Sequence, residues 1–163
     1  MNSFRLIKTS LVASAGVFSL LVAYNNMVDY GSNFAFVQHV LTMDTTFEGN
    51  QLTSRAVENP FIHHIFYALI ITAEALTGTL CCIGALQLWR YRAAPAQQFV
   101  LAKGLASWGL TVGILLWFSG FMTVGAEWFL MWQSSTWNGQ QAAFRFIVVL
   151  FLTLLFLHQK DSD

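Results

Sequence analysis

Residues 24–60 read YNNMVDYGSNFAFVQHVLTMDTTFEGNQLTSRAVENP, and on either side of them the chain is almost continuously apolar. Asn25, Asn26, Asp29, Asn33, Gln38, His39, Asp44, Glu48, Arg55 and Glu58 crowd into this one stretch. A bilayer core about 30 Å thick is crossed by roughly 20 apolar helical residues. A polar insert between runs of that length therefore reads as a large loop outside the hydrocarbon. Inside the insert Asn33 can cap a helix over 34–43. Phe34, Phe36, Val37, Val40 and Leu41 form its apolar face, and Gln38, His39 and Thr42 its polar one. Such a helix lies on a membrane surface or across the mouth of a bundle. Residues 43–46 then make a turn in which Asp44 can cap or bind.

Outward from the insert, the first apolar run covers about 6–24 and follows Arg5, with Lys8 in its first turns. Its basic start and apolar centre resemble a secretory signal, but no small-x-small cleavage site follows, so a retained helix is expected. The second run, about 60–89, opens on Asn59 and Pro60: a side-chain cap, then a residue that has no amide donor to satisfy. Arg90 to Lys103 makes a short connection. A third run covers about 104–128, a second polar loop 129–141, a fourth run about 142–157 and a charged tail 158–163. The fold class expected is an all-α membrane protein, a single-domain four-helix transmembrane bundle whose large outer loop carries an interfacial amphipathic helix.

Composition supports that class. Hydrophobic residues make up 56% and charged residues 10% of the 163, whereas a soluble domain has about a quarter charged. The formal net charge is zero, which removes the general electrostatic case for nucleic acid. Arg5, Lys8, Arg90, Arg92, Lys103 and Lys160 fall on one side of the four runs, against Arg55 and Arg145 on the other. By the positive-inside rule both termini are cytoplasmic and the large insert faces outward, into the periplasm in a bacterial inner membrane.

Small residues mark helix contacts in lipid. Glu74, Thr77, Gly78, Cys81 and Ala85 form one stripe on the second run, Gly109, Gly113 and Gly120 one on the third, and Thr9, Ala13, Gly16 and Ala23 one on the first. The glycines of the third run are expected to pack this chain internally rather than to form a homodimer. The fourth run is bulky and apolar nearly all round, and is expected to be the most lipid-exposed.

Glu74 stands near the middle of the second run, where a carboxyl group is costly and functional by default. It reads as a proton-coupling or ligand-contact residue, or else as a neutral acid hydrogen-bonded to Thr77 or another helix. Glu127 and Arg145 should reach similar depth on antiparallel neighbours and form an ion pair. His63 and His64 are adjacent and point about 100° apart, so they cannot both face one haem, and His158 lies at the opposite end. His39, His63 or His64 with Asp29, Asp44 or Glu127 matches no metal-ligand spacing, so neither metal nor cofactor is expected. Cys81 and Cys82 sit together toward the cytoplasmic end with no partner pair outside, which removes a membrane thiol oxidoreductase and leaves core packing. Trp128, Trp132 and Trp137 read as an interfacial belt or as the rim of a binding site.

Several segments together resemble a known family: Tyr24-Asn25-Asn26 through Asp29-Tyr30, Asn33 to Leu41, Met43-Asp44-Thr45, Glu127-Trp128, Met131-Trp132-Gln133, residues 137–141 and Phe144-Arg145. The chain is similar throughout to bacterial proteins catalogued as predicted small integral membrane proteins with a domain-of-unknown-function label. The resemblance implies a four-helix inner-membrane protein and implies no activity. Three functions remain open on the residues: an accessory protein whose outer loops bind a partner protein or small ligand, a proton-coupled transporter using Glu74, and a redox or metal-binding subunit using the outer histidines. Candidate binding residues are Asp29, Asn33, His39, Asp44, His63, His64, Glu74, Glu127, Trp137 and Arg145. Lipid is the expected environment.

Overall fold

The computed structural model describes residues 3–161. Helix α1 spans Ser3–Val28, α2 Tyr30–Thr42, α3 Pro60–Arg90, α4 Ala96–Leu101 and α5 Gly104–Leu115. A π-helix, Leu116–Trp128, continues α5, and α6 spans Gln140–Leu157. Four helical stretches are long and apolar enough to cross a membrane: α1, α3, α4 through the π-helix, and α6. The last is the least buried of the four, as its all-round apolar sequence leads one to expect.

Local chemistry explains where these elements start. Asn59 accepts a hydrogen bond from the Phe61 amide at 2.9 Å and Pro60 occupies the first helical position, so α3 begins where the sequence places it. Helix α1 continues four residues past the expected 24, carrying Asn25 and Asn26 into its last turn. Helix α2 begins at Tyr30, not Phe34, and Asn33 is not its cap. Asn33 lies inside the helix because its side chain is taken by Asn26, at 2.7 Å. Met43, at φ 54°, closes α2 in the left-handed region.

The bundle is held at close quarters by glycine. A Cβ built on Gly16 would stand 2.7 Å from Cys82 Sγ, and one on Gly109 2.7 Å from Cys81 Sγ. One on Gly84 would meet the Ala106 backbone. Helices α1 and α5 thus approach α3 from two sides to near backbone contact, the interhelical geometry that small residues permit in lipid. Gly109 packs the chain internally. Gly120, read with it as one stripe, has only Leu116 of its own helix nearby and borders a cavity instead.

At one end of the bundle α2 lies across the mouth. Its Val37, Val40 and Leu41 are buried against Tyr67, Ala126, Phe129 and Met131. The amphipathic helix therefore covers protein, which decides between the two placements its sequence allowed. The long connection after it returns through a Val57 amide bond to Leu41 O at 2.9 Å. Thr45 Oγ1 donates to Ser134 Oγ at 2.8 Å and the Phe47 amide to Gln133 Oε1 at 3.0 Å, so the two loops at this end are tied together. Arg55 donates to Trp128 O at 3.2 Å, with its guanidinium 4.6 Å from the Trp128 ring.

The opposite end gathers the basic residues. Arg5 donates to the carbonyls of Arg92 and Ala94, and Lys8 donates to Gln159 O at 2.6 Å and to Asp161 at 2.8 Å. Lys103 also pairs with Asp161. Arg5, Lys8 and Lys103, which in the sequence serve only as topology signals, are 3%, 1% and 3% exposed.

Candidate functional site

Asn26, placed one turn from the end of α1, is buried and donates through Nδ2 to Glu74 Oε2 at 2.8 Å. Its Oδ1 accepts from Asn33 Nδ2 on α2, and its backbone carbonyl accepts from the Tyr67 hydroxyl at 3.1 Å. Three helices are thereby joined by a chain that runs from Asn33, which is exposed, through Asn26 at 6% exposure to Glu74 at 3%. The carboxyl group bonds another helix, not its helical neighbour Thr77, whose Oγ1 is buried with no partner among the described residues. Glu74 Oε1 likewise has no protein hydrogen-bond partner there.

Glu74, Asn26 and Asn33 border a cavity of about 310 Å³ whose remaining wall is largely aromatic: Phe36, Tyr67, Trp117, Phe121 and Phe146. Phe146 of α6, one of these rings, meets Phe18 of α1 at 5.3 Å between ring centres. A separate space of about 10 Å³ lies between Glu74, Thr77 and Trp117. A second cavity of about 150 Å³, wholly apolar in its lining, shares Phe36, Val37, Ile70 and Phe121 with the first.

The π-helix forms one side of all three spaces, through Leu116, Trp117, Gly120, Phe121, Val124 and Gly125. Its wider winding is visible in the Phe129 amide bond to Val124 O at 3.0 Å, five residues back. π-Geometry is uncommon and usually a single turn, found often at functional sites. Here Gly120 and Gly125 line the apolar space of about 150 Å³, where a larger side chain would fill it.

The other sequence-predicted residues do not converge on this cavity. His39 Nδ1 bonds Asp44 Oδ2 at 2.7 Å while its ring stacks on Trp137 at 4.6 Å, a clasp on the polar face of α2. His64 bonds the Tyr30 hydroxyl at 2.8 Å and stacks on Phe34 at 4.2 Å. His63 is buried and donates from Nε2 to Val57 O at 2.6 Å. Asp29 accepts from Ser32 on the surface. Each outer histidine thus has its own partner, and among the described residues no three His, Cys, Asp or Glu side chains gather to hold a metal ion.

Glu127 and Arg145 are both exposed, and no ion pair joins them among the described residues. Similar depth is not enough: α6 buries Ala143 and Leu150, which turns Arg145 outward, while π-winding shifts Glu127 off the direction an α-helix would give it. Sequence reasoning missed Asn26 and Tyr67. An amide in the last turn of an apolar helix, with Glu74 inside the next, is the available signal, since a buried carboxyl group requires donors.

No curated protein and no solved structure matches the chain. A family model does, over residues 4–160, a match that takes in the cavity and all of the four long apolar helices but Ser3. The chain belongs to the family described as predicted small integral membrane protein (DUF2165).

Proposed function

We propose that this membrane protein is a non-enzymatic binding protein, which holds a small ligand in the cavity at Glu74 beneath α2. The observation that carries this reading is a buried carboxyl group with one unpartnered oxygen, bordering about 310 Å³ of space and joined by Asn26 and Asn33 to the surface. Sites for small molecules have this make-up: mostly apolar and aromatic walls with a few convergent polar groups that set orientation. Among the described residues the outer histidines form no comparable constellation, since each is engaged with its own partner.

Protein purified in mild detergent, then denatured and extracted, should release a small molecule detectable by mass spectrometry. Ala142→Trp, which enlarges a side chain of the cavity lining, should release none. Equal yields from the two proteins would sink the binding reading.

A proton-coupled carrier on Glu74 is the second reading, favoured by the same carboxyl group. It requires a route onward to the basic end, where Gly16, Gly84 and Gly109 bring α1, α3 and α5 to near backbone contact. Binding needs no such route and is preferred.

We infer that the protein lies in a bacterial inner membrane with both termini cytoplasmic and α2 facing the periplasm. The six basic residues of one side support this orientation. A C-terminal fusion should fluoresce with green fluorescent protein and stay inactive with alkaline phosphatase. The opposite pair of results would invert the topology.

A further inference from the structure

The class of ligand follows from how the carboxyl group is held. Asn33 donates to Asn26 Oδ1, and Asn26 donates to Glu74 Oε2, so both amides direct their N–H groups along the chain toward the carboxyl group. Donors aimed at Oε2 favour the ionised form and leave Oε1 as the oxygen free to meet a ligand. A carboxylate 97% out of contact with solvent calls for a counter-charge. None is supplied by the protein: among the described residues no lysine, arginine or histidine pairs with Glu74.

An organic cation suits such a site better than a metal ion. A bare metal ion takes several oxygen ligands, and this cavity offers one free carboxylate oxygen within walls of Tyr67, Trp117, Phe121 and Phe146. Ring faces attract an ammonium or a similarly diffuse cation, most strongly when water is displaced. The adjoining apolar space of about 150 Å³ accommodates a hydrocarbon or aryl extension.

Resting on the binding reading above, we propose that the ligand is an amphiphilic organic ammonium, whose N–H donates to Glu74 Oε1 while its apolar body lies against the aromatic wall.

The test is calorimetry of the full chain in lipid nanodiscs, referenced to empty discs, with three probes of similar shape: 2-phenylethylamine, 2-phenylethanol and 3-phenylpropionate. Wild type should bind the amine at least tenfold more tightly than the alcohol and should not bind the acid. Glu74→Gln keeps an acceptor for Asn26 but removes the charge, so it should bind amine and alcohol alike. Ala142→Trp should lose both. Equal affinity of wild type for amine and alcohol, both abolished in Ala142→Trp, would leave the cavity as a ligand site and overturn the ammonium assignment. No binding of any probe, or binding indifferent to Ala142→Trp, would overturn the site itself along with the assignment.

Discussion

Asp161→Asn should lower the stability of the protein by about 3–5 kcal/mol, the cost of leaving buried charges without their partner. The Asp161 side chain is 1% exposed and is held by Lys8 Nζ at 2.8 Å and by Lys103 Nζ. Both ammonium groups are nearly sealed from water, and their other oxygen partner is the Gln159 carbonyl, at 2.6 Å from Lys8 and 3.5 Å from Lys103. Removing one negative charge therefore strands two positive ones. The tail after α6, which looks in the sequence like a solvated end, works as a clamp across α1, α5 and α6.

The same group sets an acid limit. Burial on its own would raise the Asp161 carboxyl, but hydrogen bonds from Lys103 and Lys8 and their charges outweigh it and hold the group below the usual carboxylate range. A depressed folded value means the stabilisation is complete above the unfolded value, about 4, and is lost as pH falls through the folded one. His158 is lowered too, by burial first and then by the charges of Lys103 and Lys8. It lies against Ser107 Oγ at 2.8 Å. Its contribution is present above the unfolded value of about 6.5 and fades as pH drops below that. Thermal unfolding read by intrinsic tryptophan fluorescence should show a small loss of Tm on acidification from pH 7 and a larger one below pH 4. Asp161→Asn should abolish the second step while starting from a lower Tm. A Tm within the error of wild type at pH 7 would mean that the two lysines are neutralised elsewhere.

Gly84→Leu is the other severe change. The first atom of any side chain at this position meets the Ala106 amide nitrogen and stands 2.7 Å from its Cα, so the obstacle is backbone. A flexible side chain could rotate away, whereas a helix must move as a body. Overpacking in a dense interior costs about 1–3 kcal/mol and occasionally more. With both partners rigid and a whole isobutyl group to place, about 3 kcal/mol or outright failure to assemble is expected. Gly31→Ala provides the contrast. Nothing lies within 4 Å of its Cβ and its place within α2 is helical, so the exchange should be neutral or stabilise by up to about 1 kcal/mol. Should Gly84→Leu melt like Gly31→Ala, α3 and α5 do not cross at Ala106.

These two substitutions fall on opposite sides of what could be read from the chain. Gly84 belongs to an apolar run whose length and small residues already announce a packed membrane helix. Asp161 belongs to a charged tail, where only proximity to Lys8, more than 150 positions away, reveals its task. The π-winding of 116–128 was illegible for a related reason, because its two glycines and aromatic residues fit an α-helix equally well.

For this protein the sequence by itself determined the elements: apolar runs of bilayer length, the Asn59-Pro60 start of α3, the small-residue stripe on its inner face and the amphipathic α2. All of these follow from periodicity and local capping, which act between residues close in the chain. Only the tertiary structure decided that Asn26 and Asn33 direct donors to Glu74, that α2 roofs a cavity, that Glu127 and Arg145 stay apart and that three basic residues are buried. A cavity is space left between helices, and a buried charge is defined by its partner. Both depend on how distant segments are set against one another, a relation that no local pattern encodes.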